Sequence, residues 1–150
     1  MRTSTKTIIA SALLVLCISQ TFAAEVTYFP TVMHFQEKNR YGEDWNTKTN
    51  CIKISLDNGL TFGTMSNSYH KQSTFAGYTA RPLKIGNVSA GALFGVVSGY
   101  DSKMMALKVP LLGAGTIFWQ ATKNHHVEVI VVPTVKQSSG FVSVGFGMSF

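Results

Sequence analysis

The sequence predicts an all-β protein: an eight-stranded antiparallel transmembrane β-barrel that follows an N-terminal signal peptide. Three observations support this fold class. The only long apolar run lies at the start of the chain, most later segments alternate between large apolar and small or polar residues, and the chain ends in a strand-like segment at Phe150. No segment carries the start and stop signals of a helix.

The beginning of the chain has the composition of a secretory signal peptide. Arg2 and Lys6 supply positive charge, and Ile8 to Ile18 forms an apolar core. Small residues suited to cleavage follow at Thr21-Phe22-Ala23 or at Phe22-Ala23-Ala24. The sequence therefore predicts export from the cytoplasm.

This leader divides the chain into a signal peptide, 1–24, and a barrel domain, 25–150. One alternative is a membrane anchor, although the apolar run is shorter than the roughly 20 residues of a spanning helix. Another is a lipoprotein signal that ends at Cys17. Cleavage leaves Cys51 as the only cysteine, so no disulfide can form within the mature chain.

Composition limits the classes of function. Charged residues make up 13% of the chain, about half the share that soluble domains carry. The net charge of +6 falls to +4 when Arg2 and Lys6 are removed with the signal peptide, and this mild basicity suits an anionic surface such as the phosphates of lipopolysaccharide. We do not expect nucleic-acid binding, because the charge forms no basic run and the protein is exported.

Eight segments carry the strand-like alternation, and turn residues separate them. Asp57-Asn58-Gly59 is the strongest hairpin signal, and Gly86-Asn87, Lys123-Asn124 and Ser138-Ser139-Gly140 are weaker ones. Most segments approach the ~9–11 residues of a tilted membrane strand. The predicted strands are 26–35, 50–57, 60–68, 74–82, 86–97, 106–118, 125–133 and 140–150.

The last segment shows the pattern most clearly. One face carries large apolar side chains and the other carries small ones, which is the pattern of a strand between lipid and the lumen of a barrel. A water-soluble sandwich is the alternative, but the other segments are also too apolar to leave it polar faces. The apolar face comprises Val142, Val144, Phe146, Met148 and Phe150, and the small face Ser143, Gly145, Gly147 and Ser149.

An even number of strands places both termini at the periplasmic end, called here the inner rim. The connections at 36–49, 67–73, 98–105 and 134–139 then lie at the opposite end, the outer rim, and those near 58, 83–85 and 119–124 lie at the inner rim. The first outer connection is the longest and most charged, and longer outer loops are typical of such barrels.

This parity brings chemically capable residues to the outer rim. His34 ends the first strand there, and Ser68 follows the third. A serine beside a histidine is the minimum for a hydroxyl activated by a general base, although solvated loop residues are the alternative interpretation. His125 and His126 lie at the inner rim as turn residues or as a weak metal site. The other outer-rim candidates are Asn67, Tyr69, His70, Tyr100 and Asp101.

Several features in this order resemble the outer-membrane lipid A palmitoyltransferases. A histidine closes the first strand, and a pair ending in serine opens the second outer connection, nine residues before an Ala-Gly-Tyr motif. The resemblance covers most of the mature chain, and its specificity lies in the order of the motifs. They are Met33-His34-Phe35, Asn67-Ser68, Ala76-Gly77-Tyr78, Arg81-Pro82, Ser98-Gly99, Pro110-Leu111-Leu112, Pro133 and the terminal Phe150.

The resemblance implies transfer of an acyl chain from a phospholipid donor to lipid A in the outer leaflet. By carry-over, His34 would be the general base and Ser68 the catalytic hydroxyl or a partner of the reacting carbonyl. Pro110 and Pro133 would flank the gap through which the acyl chain enters the barrel.

The chain departs from the family pattern in three places. The family has aspartate where this chain has Asn67, and an amide does not stabilise a positive imidazolium as a carboxylate does. Asp101 at the same rim is a possible substitute. Thr79 stands where the family has the glycine that sets acyl length, and the family's N-terminal amphipathic helix is missing.

Two functional hypotheses remain open, and whether the protein is an enzyme stays undecided between them. The first is an acyltransferase acting on lipid A. The second is a non-catalytic outer-membrane barrel that binds lipid or lipopolysaccharide, or has a structural or surface-masking role. Lys38, Arg40 and Lys71 are the expected lipopolysaccharide contacts. A narrow pore ranks last, because eight strands leave a lumen filled by side chains. We expect a monomer without metal or cofactor.

Overall fold

A computed structural model describes residues 24–38, 42–100, 111–134 and 139–150. The rest of the predicted signal peptide, and the predicted site residues Arg40, Asp101 and Pro110, lie outside the described residues. Within them, no helix is long and apolar enough to cross a membrane. The strands are β1 (Ala24–Phe29), β2 (Met33–His34), β3 (Cys51–Leu56), β4 (Leu60–Ser66), β5 (Gln72–Ile85), β6 (Val88–Val97), β7 (Leu111–Gln120), β8 (His125–Val132) and β9 (Phe141–Ser149).

The strands form one antiparallel sheet that closes on itself. Each strand from β3 to β9 pairs with the next along the chain, and β1 pairs with both β3 and β9. The short strand β2 also pairs with β9, so β1 and β2 share one position in the wall. The predicted eight-stranded antiparallel β-barrel is therefore confirmed.

An irregular segment separates β1 from β2, where the sequence predicted one continuous strand. Tyr28 pairs with Phe146 and Met33 pairs with Val142, which leaves one residue more on the β1–β2 side than on β9. Pro30 lies in this interruption, and its ring nitrogen has no hydrogen to donate to a ladder. The proline therefore divides the first barrel strand without opening the sheet below it.

Strand β5 extends further towards the inner rim than the sequence predicted. The predicted strand ended at Pro82 with a connection at 83–85, whereas β5 continues to Ile85 and the turn lies at Gly86-Asn87. Around Pro82 the register between β5 and β6 shifts, and such a bulge accommodates a residue without an N–H. Gly86 has a φ of +57°, the left-handed conformation that tight hairpin turns require. The predicted connection at 83–85 is thus wrong.

The two faces of the wall differ in chemistry. On β9, Phe146 is 61% exposed and Val144 and Met148 are also exposed, while Ser143 and Gly145 are buried in the lumen. The other strands repeat this arrangement, which leaves an apolar belt around the outside. Its exposed members include Tyr28, Ile52, Leu60, Phe62, Tyr78, Leu83, Ile85, Val88, Phe94, Val96, Leu111, Ile117, Trp119 and Val131.

The lumen contains an apolar layer near the outer rim and a charged layer near the inner rim. On β3, Cys51 and Lys53 both point inward, and Lys53 lies two residues nearer the inner rim. The same order holds on β1 for Phe29 and Glu25. The apolar layer is Phe29, Cys51, Phe75, Leu93, Val97 and Ala114, and the charged layer is Glu25, Lys53, Arg81 and Glu128.

Candidate functional site at the outer rim

The structure places His34, Asn67 and Ser68 at the same rim, as the strand parity predicted. His34 ends β2, and Asn67 and Ser68 follow the end of β4. The first outer connection joins the two positions, because the backbone N–H of Asn46 donates to the carbonyl oxygen of Ser68 at 3.1 Å. The three residues therefore lie at one end of the barrel. Which chemistry they can perform depends on the contacts of each side chain.

A row of aromatic rings separates His34 from Ser68. His34 stacks on Trp45 with 4.5 Å between ring centroids, and Trp45 meets the edge of Tyr69 at 5.5 Å. Tyr69 in turn meets Tyr100 at 6.1 Å. Both ring nitrogens of His34 are buried, and the polar group that interacts with the ring is the backbone of Asn46. His34 is thus packed as an aromatic ring, and no His34–Ser68 hydrogen bond exists.

Ser68 is turned towards Tyr100. Its side chain is buried, with 6% of the residue exposed, and it hydrogen-bonds the Tyr100 phenol. Burial raises the pKa of Tyr100, and the hydrogen bonds from Ser68 oppose that rise. The hydroxyl that a general base would activate is therefore already engaged with a neutral phenol.

Asn67 holds the second outer connection together. Its side-chain oxygen accepts hydrogen bonds from the backbone N–H of Tyr69 at 2.9 Å and of Lys71 at 3.0 Å. Its side-chain nitrogen donates to Ser73 Oγ and to the carbonyl oxygen of Gly99, each at 2.9 Å. Two donated and two accepted bonds use the amide fully. A carboxylate has no hydrogen to donate to the Gly99 carbonyl oxygen. The hydrogen bond to Gly99 therefore explains why an asparagine suits this position better than an aspartate.

The positions expected to hold an acyl chain do not share one cavity. The apolar layer encloses a cavity of about 50 Å³, well below the roughly 150 Å³ that accommodates a benzene ring. Thr79 does not line it; its hydroxyl hydrogen-bonds that of Thr61 at 2.8 Å, nearer the inner rim. Pro133 is exposed just after β8, where pairing with β9 is intact up to Val132 and Phe141.

Two of the expected lipopolysaccharide contacts, Lys38 and Lys71, differ in their surroundings. Lys38 pairs with Asp44 at 2.5 Å, and both side chains are exposed. This hydrogen bond and the charge of Lys38 lower the pKa of Asp44. Lys71 is exposed beside the Asn67 turn. The charge of Lys38 is therefore already balanced within its own connection.

A second polar cluster, which sequence reasoning missed, lies deep in the lumen. Lys53 and Glu128 are fully buried and form an ion pair between β3 and β8. Arg81 bonds Glu25 at 2.8 Å, lies 3.6 Å from Glu128 and stacks over the ring of Phe118 at 4.0 Å. These two positive and two negative charges balance one another across the lumen. Alternation showed which side chains point inward, but not which charges meet across the lumen.

His126, interpreted as a turn residue or metal ligand, belongs to this cluster. It is buried within β8, its Nε2 lies 2.8 Å from Thr27 Oγ1, and its ring packs on Phe118. His125 begins the same strand and is exposed. Among the described residues, no group of three or more His, Cys, Asp or Glu side chains is placed to hold a metal ion.

The fold and its contacts define a class: a closed antiparallel β-barrel of eight strands, apolar outside and polar or tightly packed within. No family model matches the sequence, and no curated protein matches it significantly. Any narrower assignment therefore depends on the arrangement of side chains at the belt, in the lumen and at the outer rim.

Proposed function

We propose that this protein spans the outer membrane as a non-catalytic barrel whose working surface is its outer rim. The observation that carries the proposal is the apolar belt. Large side chains such as Phe94 and Phe146 project from the wall with more than half of their surface exposed. Soluble monomers rarely expose contiguous apolar areas beyond a few hundred Å², whereas a membrane barrel requires such a band.

The lumen supports a role without transport or catalysis. Lys53, Arg81 and Glu128 pair with one another across its inner half, and the apolar layer of its outer half leaves a cavity of only about 50 Å³. At the rim, Asn67 is committed to backbone contacts and Ser68 to Tyr100. The exposed side chains of the outer connections are the ones available for binding. In this proposal they face the outer leaflet, which contains lipopolysaccharide.

Membrane insertion is tested by expressing the full chain and separating inner from outer membranes. We expect the protein in the outer-membrane fraction, resistant to carbonate extraction. As a matched test of the belt, Phe94→Arg should block stable insertion, because a charge facing lipid costs about 2–4 kcal/mol near the bilayer midplane. Lys84→Arg, a charge-conserving change on the same hairpin, should insert normally. Recovery of the wild type as a soluble periplasmic protein would refute the proposal.

A second candidate is the lipid A acyltransferase, favoured by one observation: His34 and Ser68 lie at the same rim. Mass spectra of lipid A from cells with and without the protein separate the two candidates. The non-catalytic proposal predicts identical spectra. An added acyl mass that disappears with Ser68→Ala, while the barrel still inserts, would establish the enzyme instead.

A further inference from the structure

An open groove of about 620 Å³ lies at the outer rim, between the first outer connection and the outer end of β9. Its volume falls within the range of roughly 300–1,000 Å³ that is typical of small-molecule sites. It is a different cavity from the small one in the lumen, although Val32 and Ser143 line both. The lining residues are Thr31, Val32, Met33, His34, Gln36, Glu37, Asp44, Trp45, Thr47, Val142, Ser143 and Val144.

The groove has one apolar side and one polar side. Met33, Val142 and Val144 form the apolar side, which continues into the belt. The polar side carries the amide of Gln36 and the carboxylate of Glu37, both exposed to solvent. Trp45 supplies an indole between them. A ligand that matches this groove has hydroxyl groups on one edge and an apolar C–H face on the other.

Charge narrows the class of ligand. Among the described residues that line it there is no lysine or arginine, and Glu37 and Asp44 are both acidic. Lys38 is bonded to Asp44 and balances that one carboxylate. A phosphate placed here would lie beside the carboxylate of Glu37, and like charges at short range repel. Hydroxyl groups have no such penalty, since each both donates and accepts hydrogen bonds.

The indole nitrogen of Trp45 adds an independent indication. Trp45 Nε1 is buried without a hydrogen-bond partner among the described residues. A buried donor without a partner is unfavourable by about 1–3 kcal/mol. Trp45 is one of the residues that line the groove, so this donor belongs to a side chain that a hydroxyl-bearing ligand in the groove would contact.

We propose that this groove binds an unphosphorylated saccharide. Trp45 and the valines of β9 cover its C–H face, while Gln36 and Glu37 bond its hydroxyl groups. At the outer rim, the source of such a saccharide is the sugar chain of lipopolysaccharide. Only this identification of the source rests on the proposed outer-membrane location. Binding of the free sugar depends only on the groove.

The test uses the full mature chain in amine-oxide micelles, which contain no sugar. Trp119→Phe leaves Trp45 as the only tryptophan, because the mature chain contains just these two. The probe is dephosphorylated core oligosaccharide. We expect a saturable change in Trp45 fluorescence, and about fivefold weaker binding for Gln36→Ala and for Glu37→Ala, as the loss of one hydrogen bond predicts.

Asp57→Asn is the matched control, since it also removes an exposed carboxylate but lies at the inner rim. It should leave the affinity unchanged. Titration calorimetry on the wild type gives a second readout if Trp119→Phe does not fold. Absence of a saturable signal in both measurements, or tighter binding of the phosphorylated oligosaccharide, overturns the proposal.

A further arm identifies the source of the sugar. Barrels in vesicles with full-length lipopolysaccharide should show the Trp45 change, whereas vesicles with lipopolysaccharide truncated to lipid A should not. If only free oligosaccharide produces the change, the saccharide site stands and lipopolysaccharide is not its source. Failure to reach the outer membrane in cells would refute the location independently.

Discussion

The side-chain amide of Asn67 donates a hydrogen bond to the carbonyl oxygen of Gly99 at 2.9 Å. This bond joins the second outer connection to the third across 32 residues of sequence. It depends on the hydrogen of the amide, so it distinguishes asparagine from aspartate at this position. Asn67, which the motif comparison places at a catalytic position, therefore has a structural role at the outer rim.

Asn67→Asp should lower the free energy of unfolding by about 1–3 kcal/mol, because the Gly99 carbonyl loses its donor and a carboxylate enters a buried site. Equilibrium urea titration in micelles measures this change. Asn58→Asp is the control, since only the side-chain oxygen of Asn58 is used, accepting from the N–H of Leu60. Equal destabilisation by both substitutions would contradict the role given to the Asn67 amide.

Gly145→Ala should destabilise the barrel by about 1–3 kcal/mol through overpacking. A methyl group at Gly145 would lie 2.6 Å from the ring of Phe29, which fills the lumen. Thermal unfolding of the purified protein tests this. Gly113→Ala, where an added methyl meets nothing within 4 Å, should be neutral. Adding Phe29→Leu should restore part of the loss, and a Gly145→Ala protein as stable as wild type would disprove the contact.

Lys53→Met should cost several kcal/mol, since removing one partner of a buried ion pair leaves the Glu128 carboxylate with only its longer contact to Arg81, at 3.6 Å. Glu128→Met alone should also destabilise, and the double substitution should recover most of the stability. The measurement is a double-mutant cycle from unfolding free energies. Strict additivity of the two losses would show that the pair does not couple.

The mature protein should begin at Ala24. Ala24 pairs with Leu56, and its carbonyl oxygen accepts a hydrogen bond from the N–H of Phe150 at 2.9 Å, so it belongs to the barrel. Of the two possible cleavage sites, the one after Ala23 also places Thr21 rather than the large Phe22 at the position that favours a small residue. The intact mass of the purified mature protein measures this, and a mass that corresponds to a chain starting at Glu25 would contradict it.

Much of the wall was predictable because alternation is a local property. The faces of β9 and the hairpin at Asp57-Asn58-Gly59 were confirmed from nearest neighbours alone. The error at Pro82 has the same origin: a missing N–H normally ends a strand, and the bulge that accommodates it depends on the register with β6. Local rules cannot supply that register.

The candidate site was predicted only as far as the rim. Strand parity placed His34 and Ser68 at the same end, but the ring between them, Trp45, comes from a charged connection with no periodic pattern. A tryptophan within such a charged connection does indicate that this part of the connection packs against other residues. The bond from Asn67 to Gly99 left no trace in either local sequence, since each residue is ordinary for a turn.

The charged layer has a consequence for assembly of the barrel. Glu25, Lys53, Arg81 and Glu128 come from four strands, and each of their ion pairs joins strands that are not neighbours in the sheet. A sheet that had entered lipid before its first and last strands met would carry these side chains unneutralised against hydrocarbon. For the membrane-spanning barrel proposed above, insertion and the pairing of β1 with β9 should therefore occur together. Neutralisation of the interior charges would stabilise the closed barrel.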